Sequence, residues 1–99
     1  MKRDFQPAVD IVASQRNGTI YVGVTSNLPQ RVSQHRESLI DGFTKRHGCK
    51  LLVWYEAFAT MELAIAREKQ IKGGSRKRKL ELIERENPQW KDLSGQIWT

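Results

Sequence analysis

The chain has 99 residues, 38% of them apolar, and a formal net charge of +6 from 17 Lys and Arg against 11 Asp and Glu, enough for one domain and too little for two. No apolar run approaches the roughly 18 residues of a membrane span, and the opening Met1-Lys2-Arg3-Asp4-Phe5 lacks the apolar stretch of a secretory signal. A single cysteine, Cys49, excludes an internal disulfide framework and, with only His35 and His47 as further soft ligands, argues against structural zinc; a small, basic, cytoplasmic domain is the expectation.

Residues 8–13, Ala-Val-Asp-Ile-Val-Ala, read as a short strand. Asn17-Gly18 signals a turn, and Thr19 to Thr25 alternates as a second strand. The two form an antiparallel hairpin. An even-length loop puts Asp10 and Tyr21 on one face, with Ile20, Val22 and Val24 on the other. Ser26 or Asn27 caps a helix that has Pro29 in its first turn and runs to about Leu39. Its apolar stripe is Leu28, Val32 and Leu39, with His35 inside the stripe and Arg31 on its edge. Asp41-Gly42 ends it, and residues 43–49 read as a loop.

Lys50 to Phe58 is rich in β-branched and aromatic residues and reads as a third strand. Thr60 caps the next helix, whose buried stripe is Met61, Ala64, Ile65 and Ile71. Helical spacing puts Glu68 inside that stripe. Gly73-Gly74 breaks the helix. Another runs from about Ser75 to Glu86, with Leu80, Leu82 and Ile83 as its apolar positions, and Asn87-Pro88 stops it. The tail holds Trp90, Leu93, Ile97 and Trp98, which can dock on the domain or on a second copy. The pattern ββ-α-β-α-α, three strands covered by helices, is an α+β domain.

Charge is concentrated. Residues 67–79 carry seven basic side chains, Arg67, Lys69, Lys72, Arg76, Lys77, Arg78 and Lys79, against Glu68 alone, and the remainder of the chain is neutral. Such a local field favours a polyanion, nucleic acid above all, over a merely solvated helix face. No aromatic is interleaved with the basic run, which points to backbone or shape recognition and away from base stacking.

Polar residues in apolar places need partners or a cleft, because an unpaired buried charge is costly. Arg31, His35 and Glu68 meet that description. An internal ion-pair cluster would satisfy them structurally; together, beside Tyr21, they fit a site better. One carboxylate among basic and phenolic groups suits phosphodiester chemistry. The acid holds a hard cation, the arginine neutralises charge on phosphorus, and a phenol or imidazole orients water.

The run Gly18 to His35, GTIYVGVTSNLPQRVSQH, resembles the core of the GIY-YIG nuclease superfamily. Tyr21-Val22-Gly23 stands where the second signature triplet lies, Arg31 follows that tyrosine by ten residues, and His35 follows by four more. Ala66-Arg67-Glu68-Lys69-Gln70-Ile71-Lys72 resembles the helix that carries the family's metal-binding glutamate. The similarity runs over about residues 8–90, leaving a tail at 91–99 of one domain spanning 1–99, and is nearest to small stand-alone bacterial members. It implies a three-stranded antiparallel sheet flanked by helices. It also implies metal-dependent cleavage of DNA, as in homing endonucleases and the incision subunit of nucleotide excision repair. On that resemblance Tyr21 activates water, Arg31 contacts the scissile phosphate, His35 assists proton transfer and Glu68 holds one Mg²⁺ or Mn²⁺. Lys69, Lys72, Arg76, Lys77, Arg78 and Lys79 are the expected DNA-binding residues, in a monomer or homodimer.

One position departs from the pattern. Asp10 stands where the first signature triplet ends in tyrosine. A carboxylate there is expected to repel substrate at neutral pH and weaken activity, while fold and DNA binding persist. A non-catalytic nucleic-acid-binding module on the same scaffold is the alternative, and a protein-binding module using Trp54, Trp90 and Trp98 is a third reading.

Overall fold

The structure, a computed structural model, describes residues 6–36 and 48–97, and for His35 and Arg36 the backbone only. The elements are β1 (Ala8–Ala13), β2 (Ile20–Thr25), α1 (Leu28–Arg36), β3 (Leu51–Ala57), α2 (Met61–Lys72), α3 (Arg76–Glu86) and a 3₁₀ helix (Leu93–Gln96). The three strands form an antiparallel sheet in the order β2-β1-β3, which is the expected α+β architecture. Residues expected to extend the first helix to Leu39, to end it at Asp41-Gly42 and to begin the following loop lie outside the described residues, as does Trp98.

β1 is the middle strand and every one of its residues is buried. Its side chains alternate between two covered faces. Val9, Ile11 and Ala13 join Val22, Trp54, Ala64, Ile71, Ile83 and Trp90 beneath α2 and α3. Ala8 and Val12 join Leu28, Val32, Cys49 and Leu52 beneath α1, with Tyr21, Tyr55, Leu93 and Ile97 at the margin. A register shift between Ile11 and Val12 lets β3 carry one extra residue past β1. Burial pushes the Cys49 thiol up from its ordinary value, as suits a core residue rather than a reactive one.

Local chemistry sets the element ends. The β1–β2 loop closes through Ser14 N–H to Thr19 O at 3.0 Å and Thr19 N–H to Ser14 Oγ at 3.1 Å, with Asn17 in the left-handed region at φ 59. Asn27 caps α1 by accepting from Gln30 N–H at 3.2 Å, Thr60 caps α2 through Leu63 N–H, and Ser75 caps α3 through Arg78 N–H. The break at Gly73-Gly74 separates α2 from α3 as expected.

Two sequence expectations are corrected. Ile65 does not belong to the buried stripe of α2: it is 37% exposed, and Ala64 and Ile71 are the buried positions. Trp54 and Trp90 are core residues, each 3% exposed, so neither offers a partner-binding surface. The tail docks on the domain. Asn87 Nδ2 donates to Val53 O at 3.0 Å and Lys91 O at 2.9 Å, Trp90 Nε1 donates to Glu84 at 2.8 Å, and Asp92 accepts from Leu52 N–H at 3.2 Å. The indole finds its polar partner on the helix just before it, a relation that a count of tryptophans does not reveal.

Candidate functional site

The hairpin register sets the geometry. Asp10 lies opposite Gly23 and Val12 lies opposite Tyr21, so Asp10, Gly23 and Tyr21 share the sheet face beneath α1. Asp10 is completely buried. Arg31 comes down from α1 and its Nε donates to Asp10 Oδ2 at 2.7 Å. The guanidinium rests on the backbone of Gly23: a Cβ built there would lie 1.8 Å from Nη2. A side chain at position 23 would displace the Arg31 guanidinium, so the glycine serves the close approach of Arg31 and not a turn. Tyr21 follows two residues away on the same strand and face, about 7 Å along it.

Asp10 has one hydrogen-bond partner for two oxygens, since Oδ1 is buried without a donor. Desolvation raises its carboxyl from 3.8 to about 6, and this outweighs the opposing charge and hydrogen bond of Arg31. A buried ion pair in which desolvation exceeds attraction is a poor source of stability.

Glu68 projects from α2, near the buried stripe as helical spacing predicted, with a side chain 14% exposed. Its Oε2 lies 2.7 Å from Lys72 Nζ, one turn on. The same ammonium lies 5.5 Å from the centre of the Tyr21 ring. β2 is an edge strand among the described residues, which lets this long side chain pass its rim. One cation thus links the acid of α2 to the phenol of β2. Arg31 and Glu68 do not form the common ion-pair cluster that was the structural alternative; each has its own partner. The side chain of His35 lies outside what is described.

Among the described residues no three His, Cys, Asp or Glu gather as a metal cluster. Glu68 is the described carboxylate that could hold a hard divalent ion by itself. It is a single carboxylate already bound to a cation, the tethered ammonium of Lys72, and Mg²⁺ takes one carboxylate and keeps waters. Asp10 does not offer a comparable site, because it is buried and bound to Arg31.

The basic run is divided by its contacts. Arg76 Nη2 donates to Asn17 O at 3.1 Å and Gly18 O at 2.7 Å, fastening the start of α3 to the hairpin loop. Lys69 and Lys77 are exposed. Arg78 and Lys79, with Arg67 and Arg85, line a cavity of about 340 Å³ between α2 and α3, alongside Ile71 and Leu82. Arg67 is held in place: Nε donates to Glu56 at 3.1 Å, Nη1 to Gln70 at 2.5 Å, and its guanidinium lies 5.8 Å from the Trp54 ring centre. Sequence reading missed this role for Arg67 and Arg85 because it requires knowing that α3 folds back beside α2. It missed the Gly23 cradle as well, although Asp10 opposite a glycine in an even-loop hairpin was available as a signal.

Comparison with known proteins places these residues in context. Residues 8–93 match the GIY-YIG catalytic domain family. A UPF0213 protein of Staphylococcus haemolyticus is 33% identical over 69 residues, covering 70% of this chain and 84% of the relative. A UPF0213 protein of Clostridium perfringens is 34% identical over 68 residues, covering 69% and 73% respectively. The solution NMR structure of a UPF0213 protein from Bacillus halodurans superposes with a TM-score of 0.56 at 25% identity, over 88% of this chain and 92% of that one.

Proposed function

This chain belongs to the GIY-YIG catalytic domain family, and from that premise we propose that it is a divalent-metal-dependent endonuclease of DNA, held back near neutral pH by Asp10. The observation that carries the reading is the guanidinium of Arg31 laid on Gly23, on the sheet face it shares with Tyr21, with Lys72 joining that phenol to Glu68.

Arg31 binds the non-bridging oxygens of the scissile phosphate and offsets the charge that grows there. Tyr21 orients the attacking water and takes its proton as its own hydroxyl proton passes on to His35. His35, one turn beyond Arg31, assists that transfer. Glu68 holds one Mg²⁺ or Mn²⁺, which supplies Lewis-acid stabilisation of the phosphate when bound. Lys72 must leave the carboxylate for this to happen, and Tyr21 and the DNA backbone are its alternative partners. Lys69, Lys72, Lys77, Arg78 and Lys79 meet the DNA backbone, with Arg67 and Arg85 in the groove beside them, while Arg76 acts mainly to fix the hairpin loop.

The second reading, a nucleic-acid-binding module without turnover, is favoured by one observation. Asp10 already occupies the arginine that the phosphate requires. Cleavage of linear and branched DNA with Mg²⁺ or Mn²⁺ separates the two. Glu68→Ala is expected to lower turnover by at least about 10²-fold while DNA affinity stays within about twofold. Asp10→Tyr, checked for folding by circular dichroism, is expected to cleave faster than wild type at pH 7.5. No cleavage by either protein, with salt-sensitive binding retained, selects the binding module. Equal cleavage by both shows that Asp10 is harmless.

A further inference from the structure

Arg31 carries its own anion. Asp10 lies on the middle strand with no solvent exposure, and its Oδ2 accepts from Arg31 Nε at 2.7 Å. Gly23, opposite Asp10, leaves the space in which the guanidinium lies. Arg31 is 16% exposed, so part of it faces outward. The pair is neutral as a unit. A phosphodiester docking on the outward part would bring a further negative charge close to a carboxylate that water does not screen, and like charges at short range in a poorly hydrated site oppose each other strongly. Asp10 is on the middle strand, has no exposed surface and is bonded to Arg31, so the carboxylate has no route to water. It can accept a proton. Oδ1 is the oxygen without a donor, and a proton there leaves Oδ2 free to keep the bond from Nε.

We infer that Asp10 is a positioning residue for Arg31, and that a phosphodiester engages this arginine only with uptake of one proton by the Asp10 carboxyl group. The inference rests on the reading of Arg31 as the phosphate-binding residue, and adds to it what regulates that contact. Burial already lifts this carboxyl to about 6, so an added anion need raise it only modestly for the proton to be held near neutrality. Among the described residues, other polar groups near the pair come from β3 and β2. Tyr55 is the β3 register partner of Asp10 and donates to Gln96 of the 3₁₀ helix. Tyr21 lies further along β2 with Lys72 of α2 over its ring. His35 on α1 is common to every protein compared below, so its titration cancels in the difference.

The test is the affinity of wild type and Asp10→Asn for a short DNA duplex in EDTA, from pH 8 to pH 5. Phosphodiesters do not titrate in this range. Wild type is expected to bind up to about fiftyfold more tightly at pH 6 than at pH 8, the change in protonated fraction of a carboxyl at about 6. Asp10→Asn, which keeps the shape and an acceptor for Nε, is expected to bind at pH 8 as wild type does at pH 6 and to lose that slope. A variant whose affinity rises in parallel with wild type overturns the inference. A purely structural Asp10 would change affinity or stability without removing the slope. A second measurement needs neither DNA nor a variant: the Asp10 carboxyl resonance, titrated by ¹³C NMR with and without sodium sulfate. Sulfate is expected to shift the midpoint upward, and an unmoved midpoint overturns the coupling. Should the protein bind no DNA at any pH, the nuclease reading fails, and the sulfate titration alone decides whether anion and proton are linked at Arg31.

Discussion

The two ion pairs of the site share one length and differ in almost everything else. Arg31–Asp10 and Lys72–Glu68 both measure 2.7 Å. In the first, the acid is wholly buried and the base is 16% exposed; in the second, the acid is 14% and the base 46% exposed. Distance therefore says little about what each pair contributes. For Asp10, burial costs more than Arg31 returns, and its carboxyl is raised to about 6. For Lys72, half in water, the pair is a loose tether that solvent screens. The buried pair holds an arginine still; the exposed pair keeps a carboxylate available. The proposed phosphate-cleaving site would use both kinds of behaviour at different residues.

The largest effect expected from breaking this contrast is at Arg31. Arg31→Met keeps much of the side chain's bulk and removes the charge, leaving Asp10 buried and unpaired. A loss of about 3–5 kcal/mol is expected at pH 8 by urea unfolding. The loss should shrink toward pH 5, where Asp10 takes up a proton and no charge is stranded. A loss independent of pH would show that Arg31 matters for packing alone.

The opposite sign is expected at Asp10. Its carboxyl is at about 6 when folded and near 3.8 when unfolded. The folded state therefore binds the proton more tightly, and Asp10's contribution is most favourable below pH 3.8. That contribution is lost as pH rises through about 6. Asp10→Asn removes the dependence. It should leave stability nearly unchanged below pH 4 and raise it at pH 7.5 by about 2–3 kcal/mol. Denaturant midpoints across pH 3.5–7.5 measure this. A variant less stable than wild type at pH 7.5 would mean that the ion pair stabilises after all.

These predictions depend on features that were unequally legible in the sequence. Alternation in residues 8–13 and 19–25 and the Asn17-Gly18 turn placed Asp10 and Tyr21 on one face, because side-chain period and loop parity leave no other choice. Capping residues and the Gly73-Gly74 break located the helices. Partner choice was not legible. Whether Arg31 meets Asp10 or Glu68 depends on which sheet face α1 covers, and Asp10 was expected to repel a phosphate rather than to hold its arginine. Ile65 was assigned to the core because its spacing fits a stripe, yet Ala64 and Ile71 are the α2 residues buried against the sheet and Ile65 stays exposed. Arg76 looked like its basic neighbours until the hairpin loop supplied two carbonyls for it.

The smallest effect on stability, and the sharpest separation of the two pairs, is expected at Lys72. Lys72→Ala removes an exposed pair and a cation over an aromatic ring, each worth up to about 1 kcal/mol at such a site. Stability should therefore fall by no more than about 2 kcal/mol in total. The consequence for Glu68 is larger than that figure suggests. Its carboxylate loses the tethered cation that competes with a divalent ion, and the release costs the ion nothing once the ammonium is absent. Mn²⁺ affinity, followed by electron paramagnetic resonance without DNA, should rise a few-fold in Lys72→Ala and fall below detection in Glu68→Ala. If Lys72→Ala binds Mn²⁺ no better than wild type, Lys72 is not standing where the metal would be held, and the Lys72–Glu68 pair would be structural.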